Sequence, residues 1–156
     1  LFACLTGLRK SDIKQLTWEN IQPYGDGGMY VTLRMQKTKE LVNNPISDEA
    51  LELIGERGTG IVFTGFTDKL TQTPLKNWLK AAGITKKISF HCSRHTFGSL
   101  QVDAGTSVYT VQHMLGHKNV STTQIYANMA DESKRESVNR ITLRPAKTAQ
   151  LKVVGQ

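Results

Sequence analysis

The sequence of 156 residues predicts an α+β domain, mostly helical, with a small antiparallel three-stranded sheet. The length suits one domain with a single hydrophobic core. Polar and apolar residues alternate over 18–22 and again over 29–35, which is typical of strands exposed on one face. From Phe90 onward, apolar residues recur at helical spacing almost to the end of the chain. These three observations favour a few strands followed by a helical second half.

The composition indicates a basic protein of a reducing compartment. Twenty Lys and Arg residues oppose thirteen Asp and Glu residues, which gives a net charge of +7 and makes a polyanionic partner plausible. Cys4 and Cys92 form neither a CxxC motif nor part of a Cys/His ligand set, so disulfides and structural zinc are not expected. No apolar run reaches membrane-span length. The opening residues read as the middle of a domain, so we expect a piece of a longer protein.

The first third of the chain predicts two short helices and the sheet. The first helix is expected to end at Gly7, and a second to begin with Ser11 or Asp12 as its cap. The three strands are expected over 18–22, 29–35 and 41–46, with turns over 23–28 and 36–40. Pro45 places the last strand at an edge or end.

The middle of the chain predicts two further helices. Ser47 is expected to cap a helix that Gly58 and Gly60 break. The next helix is expected to start at Thr71 or Thr73, with a proline near its first turn, and to end at Gly83. Core positions on that helix are predicted from helical spacing: Leu75, Trp78, Leu79 and Ala82.

The last third predicts three consecutive helices and a tail. The first should bury Phe97, Leu100 and Val102 and end at Gly105. The second, from a Ser107 cap to Leu115, should be stopped by Gly116 and bury Val108, Val111, Met114 and Leu115. Asn119 or Ser121 should cap the third. Residues 130–141 could form one more amphipathic helix, followed by an irregular tail.

Six side chains in these elements suggest chemistry on a phosphodiester: Arg9, Lys37, His91, Arg94, His117 and Tyr126. Judged singly, each has an ordinary structural explanation. Arg9 could form an ion pair with Asp12 or Glu19, a lysine at a hairpin tip is usually solvated, and a tyrosine is often packing. Together they form a set that one task explains.

Cleavage of a phosphodiester without a metal needs a nucleophile, charge stabilisation and a proton donor. Arginine binds phosphate through two parallel hydrogen bonds and stays charged, so Arg9 and Arg94 could hold one phosphate from two sides, with His117 as a further donor. A tyrosine can form a phosphate ester that conserves the energy of the broken bond. Tyr126 needs a proton acceptor, for which His91 is the natural candidate, and Lys37 would protonate the leaving 5′ oxygen.

Four segments, TGLRKSDI, QKTK, HCSRHTF and LGHKNVSTTQIYANM, resemble in order the motif boxes of the tyrosine recombinase (phage integrase) family. The resemblance covers 1–129 and is closest in style to integrases of bacterial mobile and conjugative elements. It implies a catalytic domain, with catalytic residues Arg9, Lys37, His91, Arg94, His117 and Tyr126, that acts without metal or cofactor through a 3′-phosphotyrosyl DNA intermediate. Lys39 is an alternative to Lys37.

The resemblance also implies partners and a wider organisation. We expect double-stranded DNA at specific recombination sites, a homo-tetramer on that DNA, and possible accessory DNA-bending proteins in a bacterial cytoplasm, close to the nucleoid. The whole of 1–156 would be one catalytic domain lacking the family's N-terminal DNA-binding domain, and 131–156 would contact neighbouring subunits. The alternatives are a type IB topoisomerase-like activity, a relative that only binds DNA and, more distantly, a basic RNA-binding domain.

Overall fold

The computed structural model describes residues 1–25 and 27–127. The helix predicted over 130–141, the tail and the predicted subunit contacts of 131–156 lie outside these residues. The helices are α1 (Phe2–Thr6), α2 (Lys10–Lys14), α3 (Asp48–Ile54), α4 (Asp68–Ala81), α5 (Cys92–Asp103), α6 (Val108–Leu115) and α7 (Ser121–Ala127), and a short 3-10 helix covers Trp18–Asn20. The strands are β1 (Ile21–Pro23), β2 (Met29–Arg34) and β3 (Leu41–Ile46). The predicted α+β class is confirmed.

The three strands form an antiparallel sheet in the order β1-β2-β3, with Val31 at its centre. Val31 pairs with Ile21 on one side and with Asn44 on the other. Pro45 lies on the edge strand β3, where a missing N–H is tolerated, as predicted. The turn between β2 and β3 carries Lys37. The sheet therefore holds this lysine out on a short, anchored hairpin.

Two element starts near the sheet were predicted wrongly. Residues Trp18–Asn20 form a 3-10 helix and not a strand, because the backbone N–H of Thr17 donates to the Asn20 side chain at 3.0 Å and closes a capping box. Helix α2 begins at Lys10, with Arg9 as the N-cap residue, so Ser11 and Asp12 lie inside it. The Asp12 side chain faces the interior and cannot act as a cap.

The boundaries of α3 and α4 also differ from the prediction. Ser47 caps α3 as expected, but the helix ends at Gly55, whose φ of 73° ends it before Gly58. Helix α4 begins at Asp68, where Thr67 accepts from the Leu70 N–H, and Pro74 therefore lies in its interior. The earlier cap outweighs the first-turn preference of proline.

Three positions predicted to be buried are exposed, among them Ala82, which follows the last residue of α4. Trp78 is 63% exposed on α4, and Leu100 is 53% exposed on α5. Within α4, the structure buries Leu79, as predicted, together with Thr71, which was not predicted. Helical spacing identifies an apolar face, but what covers that face depends on the neighbouring elements.

The buried residues form two clusters that meet beside the predicted site. One cluster joins α1, α2, α3 and the sheet, and the other joins α5, α6 and α7. Gly7 lies at their junction with a φ of 65°, and an added Cβ would lie 2.5 Å from the Phe97 ring. Only glycine satisfies both the left-handed backbone and this close approach. Within the described residues, no helix is long and apolar enough to cross a membrane.

Candidate active site

A basic cleft of about 490 Å³ lies between the β2–β3 turn, the start of α2, helix α4 and the start of α5. Arg9, Lys37, His91 and Arg94 all line it, although they are distant in sequence. Lys39 is not among its lining residues, and its backbone has a φ of 61° while its carbonyl accepts from Arg34. The geometry therefore favours Lys37 over Lys39 as the lysine of this site.

Arg94 is buried, with 2% of its surface exposed, and its positive charge is held by two helix ends. Its guanidinium donates to the carbonyl of Gly7 at 2.6 Å and to the carbonyl of Leu115. These carbonyls lie at the C-terminal ends of α1 and α6, where the peptide dipoles present partial negative charge. Burial, with the repulsion of Arg9, lowers the pKa of Arg94 to about 10, so it remains a cation at neutral pH.

Arg9 is half-buried beside Arg94, and its Nη1 lies 2.8 Å from the sulfur of Met35. The ion pairs of the described residues join Lys10 to Asp68 and Lys118 to Glu40, so Arg9 does not form the ion pair considered from the sequence. Burial lowers the pKa of Arg9, and the charge of Asp12 partly opposes this effect. A cation without a bound carboxylate is available to an anionic ligand.

Asp12 holds two parts of the site together, a role that the sequence did not reveal. It is fully buried, and one carboxylate oxygen accepts from the Gln36 N–H at 2.9 Å. This bond ties α2, which follows Arg9, to the turn that carries Lys37. The sequence marked Asp12 only as a helix cap or an ion-pair partner, because its bond to Gln36 spans 24 residues.

His117 follows the left-handed Gly116 that ends α6, as predicted. Its Nδ1 lies 2.9 Å from the hydroxyl oxygen of Thr123, which is fully buried. Burial lowers the pKa of His117 to about 4, and the charges of Arg94 and Arg9 add to the shift. His117 is therefore neutral at pH 7, and when Nδ1 accepts from Thr123, Nε2 carries the hydrogen that can be donated.

Tyr126 on α7 is 3% exposed and packs against Gly98 of α5. An added Cβ at Gly98 would lie 2.6 Å from the phenol carbon that bears the hydroxyl, so the absence of a side chain at Gly98 makes room for the ring. The hydroxyl lies 3.0 Å from Nδ1 of His95. Burial raises the pKa of Tyr126, and the charge of Arg94 works against that rise. The sequence led us to expect that His91 would accept the proton of this phenol, but the phenol contacts His95.

His95 is the residue that the sequence reasoning missed. It follows Arg94 directly and lies four residues after His91, so the two histidines share one face of α5. Their rings meet edge to face with centroids 4.9 Å apart. His91, at the N-cap of α5, has a pKa lowered first by burial and then by the charges of His95, Arg94, Arg9 and Lys37. The i, i+4 spacing of His91 and His95 was the sequence signal that could have identified His95 as a site residue.

Arg9, Arg94, Lys37 and His91 line one basic cleft, while the neutral His117 and the buried Tyr126 lie outside its lining residues. Such an arrangement can hold a phosphodiester and present a phenol to it. Within residues 1–25 and 27–127, no group of three or more His, Cys, Asp or Glu is arranged to hold a metal ion.

A mostly helical domain with a small antiparallel sheet and this set of side chains has the architecture of an integrase catalytic domain. Residues 1–133 match the model of the phage integrase family, and the chain belongs to that family. It is 30% identical over 148 residues to the tyrosine recombinase XerD of Vibrio cholerae, a match that covers 86% of this chain and 49% of the relative. It is also 45% identical over 74 residues to XerC of Caldanaerobacter subterraneus, covering 46% of this chain and 21% of the relative.

Solved structures show the same fold. The catalytic domain of bacteriophage HP1 integrase is similar with a TM-score of 0.67 and 27% identity, covering 93% of this chain and 82% of that one. The XerA recombinase is similar with a TM-score of 0.66 and 23% identity, over 92% of this chain and 57% of that one. The chain spans about half the length, or less, of the curated relatives it matches.

Proposed function

We propose that this chain is the catalytic domain of a site-specific tyrosine recombinase that cleaves and rejoins DNA strands. The observation that carries the proposal is the convergence of Arg9, Lys37, His91 and Arg94 on one cleft, with Tyr126 packed against the adjoining helix. Membership of the phage integrase family and relatives named tyrosine recombinases support it.

In the proposed reaction, Arg9 and Arg94 bind the non-bridging oxygens of the scissile phosphate, with donors from His117 and His91. The Tyr126 oxygen forms a bond to phosphorus and the bond to the 5′ oxygen breaks, which leaves a 3′-phosphotyrosyl ester. Lys37 gives a proton to the departing 5′ oxygen. Rejoining is the reverse, with the 5′ hydroxyl of a second strand as the nucleophile. Arg94 already bonds two carbonyls and is fixed before DNA arrives, which limits the reorganisation required.

The proposed partners follow from this reaction. We propose double-stranded DNA at specific sites, with strand exchange within a homo-tetramer, assisted in the complete protein by a separate N-terminal DNA-binding domain and by accessory DNA-bending proteins. Residues 131–156 would dock on a neighbouring subunit, and a bacterial cytoplasmic, nucleoid-associated setting would suit the substrate.

Covalent trapping tests the proposal. The target is unidentified, so the probe is a tiled set of nicked duplexes that covers the DNA on either side of the coding sequence. In the presence of a metal chelator, we expect an adduct that survives denaturant and is lost in Tyr126→Phe. Tyr109→Phe is the matched control, because Tyr109 is 65% exposed on α6.

The other outcomes separate the alternatives. An adduct that persists in Tyr126→Phe means that another group is the nucleophile. Binding without any adduct supports a DNA-binding role alone. Relaxation of supercoiled plasmid without strand exchange between two duplexes supports the topoisomerase-like activity.

A further inference from the structure

We propose that His95 is a catalytic residue of the reaction proposed above, and that its Nδ1 accepts the proton of Tyr126 when the phenol attacks. The inference rests on the proposed function. It assigns to His95 a task for which the sequence favoured His91.

The contact between the two side chains is direct. The Tyr126 hydroxyl lies 3.0 Å from His95 Nδ1, within the range of a hydrogen bond and of proton transfer. The two ring centroids are 5.9 Å apart with planes inclined by 57°, so the rings meet through the hydroxyl and not by stacking. The contact brings together residues 31 apart in sequence.

The environments of the two partners suit a transfer in this direction. Tyr126 is 3% exposed, and burial raises the pKa of its phenol, so water is a poor acceptor for its proton and an adjacent base is needed. His95 is exposed on the surface of α5. The imidazolium that forms there can be hydrated, so the transferred proton does not remain as a buried charge.

The neighbouring histidine, His91, lies in the basic cleft and not beside the phenol. His91 lines the cavity with Arg9, Lys37 and Arg94, and its pKa is lowered first by burial and then by the neighbouring positive charges. His91 is thus placed to contact the phosphate. Its ring also packs edge to face with the ring of His95, with the two centroids 4.9 Å apart. The two histidines divide the work: His91 contacts the phosphate and His95 contacts the nucleophile.

The proton balance of the step is closed. The Tyr126 O–H bond breaks as Oη bonds to phosphorus, and its proton goes to His95 Nδ1. The electron pair of the broken P–O bond leaves with the 5′ oxygen, which takes a proton from Lys37. In the rejoining direction, His95 returns its proton to the phenol as the ester is broken.

Two substitutions separate proton acceptance from placement of the ring. His95→Ala removes the contact, and His95→Asn keeps a hydrogen-bonding amide near the position of Nδ1 but no base. We expect both to slow adduct formation on the nicked duplexes by about a hundredfold or more, the range for loss of a general base. His113→Ala, which removes another exposed histidine outside the basic cleft, should leave the rate unchanged. Cleavage by His95→Asn at the unsubstituted rate would reduce His95 to a positioning role and overturn the inference.

A modified substrate identifies which proton is affected. Replacing the 5′ bridging oxygen by sulfur makes a leaving group that needs no proton. The sulfur should rescue Lys37→Ala and leave the His95→Ala defect in place. Rescue of His95→Ala would place His95 at the leaving group and contradict the proposal. A faster reaction in His95→Ala would show that the contact restrains the phenol, which also contradicts it.

Nitrogen NMR of the unsubstituted chain tests the inference even if a variant fails to fold. His95 Nδ1 should have the shift of an unprotonated, acceptor nitrogen, and this signal should change in Tyr126→Phe. A protonated Nδ1 that donates to Tyr126 would overturn the proposal. The proposed function fails in a different way. An adduct that persists in Tyr126→Phe would show that Tyr126 is not the nucleophile. Loss of the adduct in Tyr126→Phe, together with normal cleavage by His95→Ala, would contradict only the role of His95.

Discussion

Arg94 shows how one side chain can serve both the fold and the site. Its two bonds to the carbonyls of Gly7 and Leu115 link the ends of α1 and α6 across the two buried clusters. The same guanidinium lines the cleft, so its orientation is fixed by the protein before any phosphate arrives. An ammonium group has no planar fork and cannot reproduce this bridge.

We therefore expect Arg94→Lys to lower the free energy of unfolding by roughly 1–3 kcal/mol, because at least one buried carbonyl loses its donor. Urea denaturation followed by circular dichroism measures the loss. Arg57→Lys is the matched control, since the exposed Arg57 also donates to two carbonyls, those of Ile21 and Trp18. An equal loss in both variants would show that burial of Arg94 is not the cause.

His117 should make the free energy of unfolding depend on pH. Its pKa is about 4 in the fold against 6.5 when unperturbed, so the unfolded chain binds more protons between these values. Its contribution to stability is therefore complete above pH 6.5 and falls as the pH drops towards 4. His91 has a pKa shifted in the same direction and adds to this trend.

In His117→Asn, the amide can keep the contact with Thr123 without titrating, so we expect stability to depend less on pH between 6.5 and 4 than in the unsubstituted chain. Denaturation midpoints measured across this range, with His113→Asn as the reference, test the expectation. Parallel curves for all three proteins would mean that His117 is not held neutral by the fold.

At the scale of elements, the packing of α7 on α5 decides where Tyr126 lies. Gly98 is in the interior of α5, where alanine would be preferred by about 1 kcal/mol in an isolated helix. The Tyr126 ring occupies the space of the missing Cβ, at 2.6 Å from where that atom would be. Glycine at this position lowers the helix propensity of α5 but allows the Tyr126 ring to approach the helix.

Gly98→Ala should consequently leave α5 formed but displace the Tyr126 ring and loosen α7. We expect faster amide exchange in α7 and a cleavage rate reduced by about tenfold or more, since small misplacements of reacting groups are costly. Hydrogen exchange with mass spectrometry measures the first effect. Leu100→Ala, a change at an exposed position of the same helix, should cause neither.

The elements also show what a sequence can and cannot specify. Helix α6 was predicted from end to end because its cap, Ser107, and its stop, Gly116, act on their own backbone neighbours. The exposure of Trp78 was not predicted, because burial depends on which element covers a face. The six candidate residues were proposed from their chemistry and from the resemblance of their motifs, whereas the contact of Tyr126 with His95 depends on the packing of α7 against α5.

At the scale of the whole molecule, the described residues line the cleft with basic side chains, Lys76 among them, and with no acidic side chain. The net charge is +7, and the cleft is lined by Arg9, Lys10, Lys37 and Arg94. Lys10 forms an ion pair with Asp68 at 3.1 Å, while Lys37 extends from the β2–β3 turn and is exposed. These two lysines therefore differ in how much charge they can offer to a phosphate backbone.

The difference predicts unequal salt effects on DNA binding. Each phosphate neutralised by a cation releases counterions, so losing one contact should reduce the slope of log affinity against log salt by about 1. We expect this reduction for Lys37→Gln and a smaller one for Lys10→Gln, because Asp68 already neutralises much of the Lys10 charge. Fluorescence anisotropy with a labelled duplex at several salt concentrations gives the slopes. Equal reductions would mean that Lys10 leaves Asp68 to contact DNA, and an unchanged slope in Lys37→Gln would remove that lysine from the DNA-binding surface.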